Sequence, residues 1–270
     1  MANIENLLQI MALLRDPDSG CPWDIKQTFS TIAPHTLEEV YEVLDCIEQG
    51  DYQHLPEELG DLLFQIVFYA QMASEEGLFS FKDICDSITS KLLIRHPHVF
   101  PDATIDSFGK HSKLTAEQVE ANWESIKQRQ RQQLSTENIS LLDDVPQALP
   151  ALLRARKLQG RAAIGGFDWH ELESVLAKVK EEIAELEEAL AARDESHIEE
   201  EFGDLLFSMV NLSRHLKLNP ESSLRQANSK FTQRFKLMEN MLREQEQDMQ
   251  ALSLDELESY WQQAKKKLAE

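Results

Sequence analysis

Four acidic residues in the second half of the chain have a spacing that could bind a metal ion. Glu182 and Glu185 are three residues apart, and so are Glu201 and Asp204. Residues at this spacing share a face of a helix, and helices joined by a short turn tend to pack antiparallel. The four carboxylates would then converge. Oxygen ligands without His or Cys favour a hard divalent cation, and Mg²⁺ commonly completes its shell with water and substrate phosphates.

The same acidic pattern occurs earlier in the chain, with every position 143 residues away. A single Glu-Glu-x-x-Glu on a helix is most often a solvated face, but five positions that recur at one offset favour a functional cluster. Carboxylates about 4 Å apart repel by roughly 4 kcal/mol per pair at an effective dielectric near 20, so the cluster must bind protons or cations. The pairs are Glu38 and Glu181, Glu39 and Glu182, Glu42 and Glu185, Glu58 and Glu201, and Asp61 and Asp204.

Basic and aromatic residues follow each acidic cluster in the same order. Lys91, Arg95, Trp123 and Lys127 in the first half match Lys230, Arg234, Trp261 and Lys265 in the second half. Taken together with a metal cluster, Lys230 and Arg234 are interpreted as phosphate ligands, because a guanidinium binds phosphate oxygens in a bidentate fork.

The elements that position these residues are predicted to be helices. The chain has 270 residues with only nine glycines and nine prolines, and it is rich in Leu, Glu, Gln and Ala, which favours a helical protein. Its length suffices for two domains that each bury a core. We therefore predict an all-α fold of tandem duplicated helical bundles. The first domain is expected at 1–130, a linker at 131–150 and the second domain at 151–270.

Apolar spacing and turn residues give the predicted helix limits. A capping-box pattern predicts that the helix with the first glutamates begins near Thr36. The helices at 56–72 and 198–216 are apolar on most sides, which predicts burial inside a bundle. Trp23 is interpreted as a core residue under a loop. The other predicted helices span residues 3–15, 36–49, 81–93, 115–131, 151–159, 172–192, 220–246 and 253–267.

Composition also excludes some classes of function. There are 48 acidic and 27 basic residues, giving a formal net charge of −21, which argues against binding nucleic acid with a basic face. Residues 1–15 are amphipathic without a basic leader, and no apolar run is long enough to cross a bilayer, so a cytoplasmic location is expected. The three cysteines are widely spaced and are predicted to be reduced thiols.

On these motifs the chain resembles the MazG family of all-α nucleoside triphosphate pyrophosphohydrolases. The resemblance rests on Glu-x-x-Glu followed, after fifteen intervening residues, by Glu-x-x-Asp, and on its duplication. It also rests on Gly20-Cys21-Pro22-Trp23-Asp24 and on Gly166-Phe167-Asp168-Trp169. The resemblance implies Mg²⁺-dependent hydrolysis of a nucleoside triphosphate to a monophosphate and pyrophosphate. It further implies a homodimer with four-helix-bundle-like sites, each completed by a neighbouring subunit or half.

The resemblance also implies roles for single residues in the second half. Glu181 or Glu182 would orient or deprotonate the attacking water. The Mg²⁺ ligands would be Glu182, Glu185, Glu201 and Asp204, and the nucleotide would be held by Lys178, Lys230, Arg234, Trp261 and Lys265.

The first half is expected to carry a second, weaker site. Where the second half has Lys178, the first half has His35, and a mostly neutral imidazole is a poorer phosphate ligand than an ammonium group. The second half is therefore predicted to be the main catalytic one. The residues of the weaker site would be Glu39, Glu42, Glu58 and Asp61 for metal, and Lys91, Arg95, Trp123 and Lys127 for the nucleotide.

Three alternatives stay open on the sequence. A di-iron carboxylate bundle would need Glu-x-x-His, and here Glu or Asp stands at that position. An acidic helical interaction protein without catalysis would use the carboxylates as a solvated surface. A related pyrophosphatase could act on another nucleotide-like substrate. His96, His98 and His111 lack a partner pattern and are interpreted as structural.

Overall fold

The computed structural model describes residues 3–109, 114–116, 118–119, 122–123, 126 and 140–268. Within these residues all regular secondary structure is helical, as predicted, and every helix is too short or too polar to span a bilayer. The α-helices are α1 (Ile4–Leu14), α2 (Pro22–Lys26), α3 (Phe29–Gln49), α4 (Leu55–Glu75), α5 (Phe81–Arg95), α6 (Ala151–Ile164), α7 (Leu172–Ala192), α8 (Glu195–His215), α9 (Pro220–Glu244) and α10 (Leu254–Lys267).

The chain forms two compact units, residues 1–134 and 135–270. The predicted linker at 131–150 and the predicted helix at 115–131 lie partly outside the described residues. In the first unit α4 packs against α1, α3 and α5. In the second unit α7 packs along α8, α6 also contacts α8, and α10 packs on α9. Each unit thus places its acidic residues on two helices in contact.

The start of α3 differs from the prediction. The helix is capped at Thr28, whose hydroxyl accepts a hydrogen bond from the Thr31 amide at 3.3 Å while Thr31 Oγ1 accepts one from the Thr28 amide at 2.8 Å. The predicted start at Thr36 is wrong, because Thr36 lies inside the helix and its hydroxyl contacts the Ile32 carbonyl and Tyr69. Pro34 lies within α3, although proline in a sequence favours a helix boundary.

Trp23 is not a core residue, which corrects the interpretation from the sequence. Its side chain is 52% exposed on the short helix α2, and its ring meets the edge of His35 with centroids 6.0 Å apart. The core of the first unit is filled instead by long aliphatic and aromatic side chains from α1, α3 and α4. They are Met11, Ile32, Val67, Phe68 and Met72.

The two apolar helices are only partly buried within their own units. In α8 the side chains of Phe202, Leu206, Phe207 and Met209 are about half exposed, and α4 exposes Leu59, Leu63 and Ile66. The sequence predicts that both helices lie inside a bundle, and within each unit this prediction is met on one side only. Each has one face packed within its unit and one apolar face left accessible.

The turn between α7 and α8 predicts a stabilising substitution. Arg193 caps α7 in the left-handed region with φ of 58°, and Gly50, at the matching position, caps α3 with φ of 70°. Only glycine adopts this conformation without steric cost. Arg193→Gly is therefore expected to stabilise the second unit by about 1 kcal/mol and to raise its melting temperature by about 2–4 °C. The matched control, Gly50→Ala, is expected to lower the melting temperature of the first unit. If Arg193→Gly lowers the melting temperature of the second unit, the backbone at Arg193 is not strained.

Candidate active site

The second unit brings acidic side chains together where α7 and α8 pack. Glu182, Glu201 and Asp204 each offer one carboxylate oxygen, and these oxygens all lie within 4.8 Å of one another. Glu182 is only 5% exposed, whereas Asp204 is exposed. Mg²⁺ binds oxygen ligands at about 2.0–2.1 Å in an octahedral shell and keeps several waters. The three oxygens therefore fit a small hard cation after a minor closing movement.

Two basic groups contact this carboxylate cluster. Lys178 Nζ lies 2.8 Å from Glu182 and 2.9 Å from Glu181, and both hydrogen bonds, that to Glu182 above all, raise the pKa of Lys178. His197 Nε2 lies 2.8 Å from Glu201 Oε1. A nearly buried carboxylate needs such a partner. Lys178 thus compensates the charge of Glu182 and also places an ammonium group beside the cluster.

Glu185 lies next to the cluster but not among its three converging oxygens. Burial raises its pKa, and the charges of Glu182 and Glu201 raise it further against the opposite effect of Lys178. The sequence predicts that four carboxylates converge, and among the described residues three of them do. The role of Glu185 as a ligand stays a prediction.

The first unit has a cluster of different membership. One oxygen each from Glu39, Glu42 and Glu58 lies within 4.8 Å of the others, and Asp61 lies outside this set. Burial is the main reason why the pKa values of Glu39 and Glu58 are raised, and the neighbouring acidic residues add to it. Gln65 donates to Glu39 at 3.2 Å and partly offsets the shift. His35 does not reach these oxygens and lies 3.6 Å from Glu38.

Four of the five predicted nucleotide ligands of the second half, all except Lys178, lie on other helices, α9 and α10. Lys230 and Lys265 are exposed, Arg234 is half-buried, and Trp261 packs on Phe231 with ring centroids 5.2 Å apart. In the described part of the chain, none of these four predicted ligands lines the cavity beside the carboxylates. The structure therefore groups Lys178 with the acidic residues and leaves the other basic residues in a second group.

The corresponding residues of the first half are only partly described. Lys91 is exposed on α5, Arg95 is half-buried near its end, and Lys127 and His111 lie outside the described residues. Trp123 is half-buried, and its ring meets that of His96 at 5.2 Å. His96 thus contacts a predicted nucleotide ligand.

A cavity of about 500 Å³ opens beside the acidic cluster of the second unit. Its size is within the range of small-molecule sites. Acidic and basic groups from the cluster form one part of the wall, and aromatic residues of the loop before α7 form another. Most of the remainder comes from α6 and α8, with Val175 of α7 and Leu142 from the segment before α6. The lining residues are Leu142, Leu158, Gln159, Ala162, Phe167, Asp168, Trp169, Val175, Lys178, Glu182, Asp204, Phe207, Ser208, Asn211 and Arg214.

Several of these residues were missed by the analysis of the sequence. Asn211 stands 143 residues after Phe68, so a polar residue of α8 replaces an aromatic residue at the matching position of α4. That difference between the halves was the available signal for Asn211. His197 carried another signal, since His54 precedes it by the same 143 residues. In the first unit, however, His54 binds Asp51 at 2.7 Å instead. Gln159 carried no signal, because only the fold places it at the cavity.

Two stretches of the chain, residues 27–100 and 170–238, match the family model of the MazG nucleotide pyrophosphohydrolase domain. The chain belongs to the MazG family. A nucleoside triphosphate pyrophosphohydrolase of Escherichia coli (strain K12) is 50% identical over 268 residues, or 98% of each chain. A nucleoside triphosphate pyrophosphohydrolase/pyrophosphatase MazG of Thermotoga maritima is 41% identical over 261 residues, which is 97% of this chain and 95% of that one.

The two MazG stretches coincide with the two acidic clusters. The first contains Glu39, Glu42 and Glu58, and the second contains Glu182, Glu201 and Asp204. The tandem arrangement predicted from the repeat is thereby confirmed. Trp261 and Lys265 lie beyond the second MazG stretch, so the domain model covers the carboxylates and not every predicted nucleotide ligand.

Proposed function

We propose that this protein hydrolyses nucleoside triphosphates to a nucleoside monophosphate and pyrophosphate, with Mg²⁺ as cofactor and broad base preference. The observation that carries the proposal is the convergence of Glu182, Glu201 and Asp204 at the wall of a cavity large enough for part of a nucleotide. The activity named for both relatives, which are similar over nearly their full lengths, supports it.

Glu182, Glu201 and Asp204 would hold Mg²⁺, with Glu185 close enough to join them. When bound, Mg²⁺ lowers the pKa of a bound water and offsets charge on the phosphates. The protein itself supplies orientation. His197 holds Glu201 from outside the cluster, and Lys178 holds Glu182 from the cavity side. Carboxylates restrained in this way lose less conformational freedom when a ligand binds.

Other groups of the same wall would act on the substrate. Lys178 lines the cavity and carries a permanent charge that attracts phosphate oxygens. Glu181 is exposed and lies 2.9 Å from Lys178, so a shift of Lys178 toward phosphate would release the Glu181 carboxylate. We infer that Glu181 or Glu182 then orients the attacking water or accepts its proton.

The second unit is proposed as the main catalytic one. It has Lys178 where the first unit has His35, and Asn211 lines its cavity where the first unit buries Phe68 completely. The aromatic side chain fills the corresponding space in the first unit with core atoms. The first cluster would then bind cations and support the fold.

We further propose a homodimer, supported by the accessible apolar faces of α4 and α8. Contiguous apolar surface of this kind marks interaction sites, and identical chains commonly pair by symmetric patches. A second subunit would also supply Lys230, Arg234, Trp261 and Lys265 to the acidic cluster. Sedimentation at micromolar concentration decides this, and a monomer in the presence of Mg²⁺ and nucleotide would contradict it.

The absence of nucleic-acid binding and the cytoplasmic location stay predictions from the sequence.

The activity is tested with a panel of ribo- and deoxyribonucleoside triphosphates in ¹⁸O-labelled water. The expected products are pyrophosphate and monophosphate in equal amounts, with the label in the monophosphate because water attacks the α-phosphorus. Excess chelator is expected to abolish the reaction, and added Mg²⁺ to restore it. Release of orthophosphate alone would contradict the proposal, whereas label in the pyrophosphate would move the attack to the β-phosphorus and leave the overall hydrolysis unchanged. No reaction, with Mg²⁺-independent binding of other proteins, would instead support the non-catalytic alternative.

A further inference from the structure

The cavity of the second unit contains a buried acceptor without a partner. Gln159 is 8% exposed, and its Nε2 donates to the Phe207 carbonyl at 2.8 Å. Its Oε1 is buried and has no hydrogen-bond partner among the described residues. Buried polar atoms are nearly always hydrogen-bonded in folded proteins. Gln159 lines the cavity, so an N–H or O–H group of a ligand that enters beside it would satisfy this acceptor.

An oriented donor lines the same cavity. Asn211 is 6% exposed, and its Oδ1 accepts hydrogen bonds from Arg214 Nε at 3.1 Å and Nη2 at 2.9 Å. These bonds fix the direction of the amide and leave the Nδ2 hydrogens for an acceptor on a ligand. Arg214 is itself held by Asp168, with Nη1 2.9 Å from Oδ2. The cavity therefore offers one fixed acceptor and one fixed donor.

Aromatic side chains stand at the same cavity on the loop before α7. Phe167 and Trp169 both line it, are exposed, and have ring centroids 6.4 Å apart. The loop bends at Gly166, where φ of 87° suits glycine, and it is fastened to α8 through Asp168 and Arg214. Exposed aromatic faces stack on flat heterocycles. The wall thus combines stacking surface with hydrogen-bonding groups.

These polar groups are not required by the fold. At the position of Asn211 the first unit has Phe68, which is fully buried, and at the position of Arg214 it has Gln71. Both halves form the same pair of packed helices. The second unit has a polar, partly unsatisfied wall where the first unit has an apolar core. This difference points to a ligand in the second unit.

We propose that this cavity receives the nucleobase of the triphosphate and that Gln159 and Asn211 bind its hydrogen-bonding edge. Gln159 Oε1 accepts an N–H of the base, and Asn211 Nδ2 donates to a neighbouring ring nitrogen or carbonyl. An edge with adjacent donor and acceptor occurs on every standard base, so the pair favours a base over none and is compatible with broad substrates. The inference rests on the proposed function and adds the residues that bind the base.

The test compares nucleoside triphosphates with 1-deoxyribose 5-triphosphate, which has the sugar and phosphates but no base. The variants are Gln159→Met and Asn211→Leu, each removing the amide at similar volume. Both are expected to raise KM for nucleoside triphosphates about 10- to 100-fold. The change in kcat is expected to stay within about threefold, and kcat/KM for the base-free compound within about twofold.

Asn240→Leu is the matched control, because Asn240 is exposed near the end of α9, away from the cavity lining, and accepts a hydrogen bond from Arg243 Nη1 at 3.0 Å. This control is expected to change neither KM nor kcat for either substrate. An equal loss on both substrates, or no loss on either, would overturn the base site while leaving the hydrolase intact. A wild-type protein that releases no pyrophosphate overturns both proposals. Thermal unfolding checks each variant, and if Asn211→Leu does not fold, Gln159→Met alone decides.

Discussion

Replacing Glu201 by glutamine is expected to lower pyrophosphate release more than about 100-fold. Substitution of groups that merely orient a metal ligand costs about 10- to 100-fold, and Glu201 is proposed as a ligand itself. Its oxygen is one of three within 4.8 Å of one another, so glutamine removes one negative charge and one anionic ligand at nearly constant volume. Initial rates at saturating Mg²⁺ measure the effect, and higher Mg²⁺ is expected to restore only part of the rate.

Glu58→Gln is the matched control in the first unit. It occupies the same position in the repeat and also belongs to a cluster of three. Most of the activity should survive in this variant, because Phe68 fills the space that would correspond to the cavity. If Glu58→Gln is as damaging as Glu201→Gln, the assignment of catalysis to the second unit is wrong. If neither substitution matters, the acidic clusters are not catalytic.

Phe68→Ala is expected to lower the free energy of unfolding of the first unit by about 3–5 kcal/mol. That is the usual cost of removing a buried phenyl ring, since burial is lost and a cavity remains. Phe68 is 0% exposed and packs among Met11, Ile32 and Met72, with Arg15 over its ring at 5.4 Å. Hydrogen exchange of the α3 and α4 amides, measured by mass spectrometry, reports the change.

Leu13→Ala serves as the control for this measurement. Leu13 lies on α1 of the same unit but is largely exposed, so its truncation is expected to change stability by less than about 0.5 kcal/mol. Amides of α7 and α8 are expected to keep their protection in both variants. A loss below about 1 kcal/mol for Phe68→Ala would mean that this ring is not central to the core.

Much of the helical fold could be predicted from local patterns. The limits of α7 follow from apolar spacing and agree with the prediction, and the final helix begins at the capping residue Ser253. Thr28 was not predicted as the start of α3 because Thr36, followed three residues later by Glu39, also has the pattern of a capping box. Pattern also could not decide what covers the apolar faces of α4 and α8. An apolar stripe predicts burial but does not say whether the same chain provides it.

The residues of the candidate site could be predicted at the positions that are the same in both halves of the chain. Repetition identified the acidic residues, and the structure brings Glu182, Glu201 and Asp204 together. Repetition is uninformative where the halves differ, and the cavity depends on such a difference at Asn211. Gln159 comes from a helix 23 residues before Glu182 in the sequence, so its place at the cavity results from the packing of α6 on α8 and not from any local motif.

If the acidic clusters hold the proposed cation, they also couple folding to its supply. Burial raises the pKa values of Glu39, Glu58 and Glu185 above their unfolded values. Their contribution to stability is present at acid pH and is lost as pH rises through the folded pKa. At neutral pH the ionised carboxylates therefore lower the free energy of unfolding. A cation bound to the folded chain would offset that loss by mass action. Under the proposed function, a newly made chain would reach its most stable form only where such ions are abundant, and Mg²⁺ would act as a folding ligand as well as a cofactor.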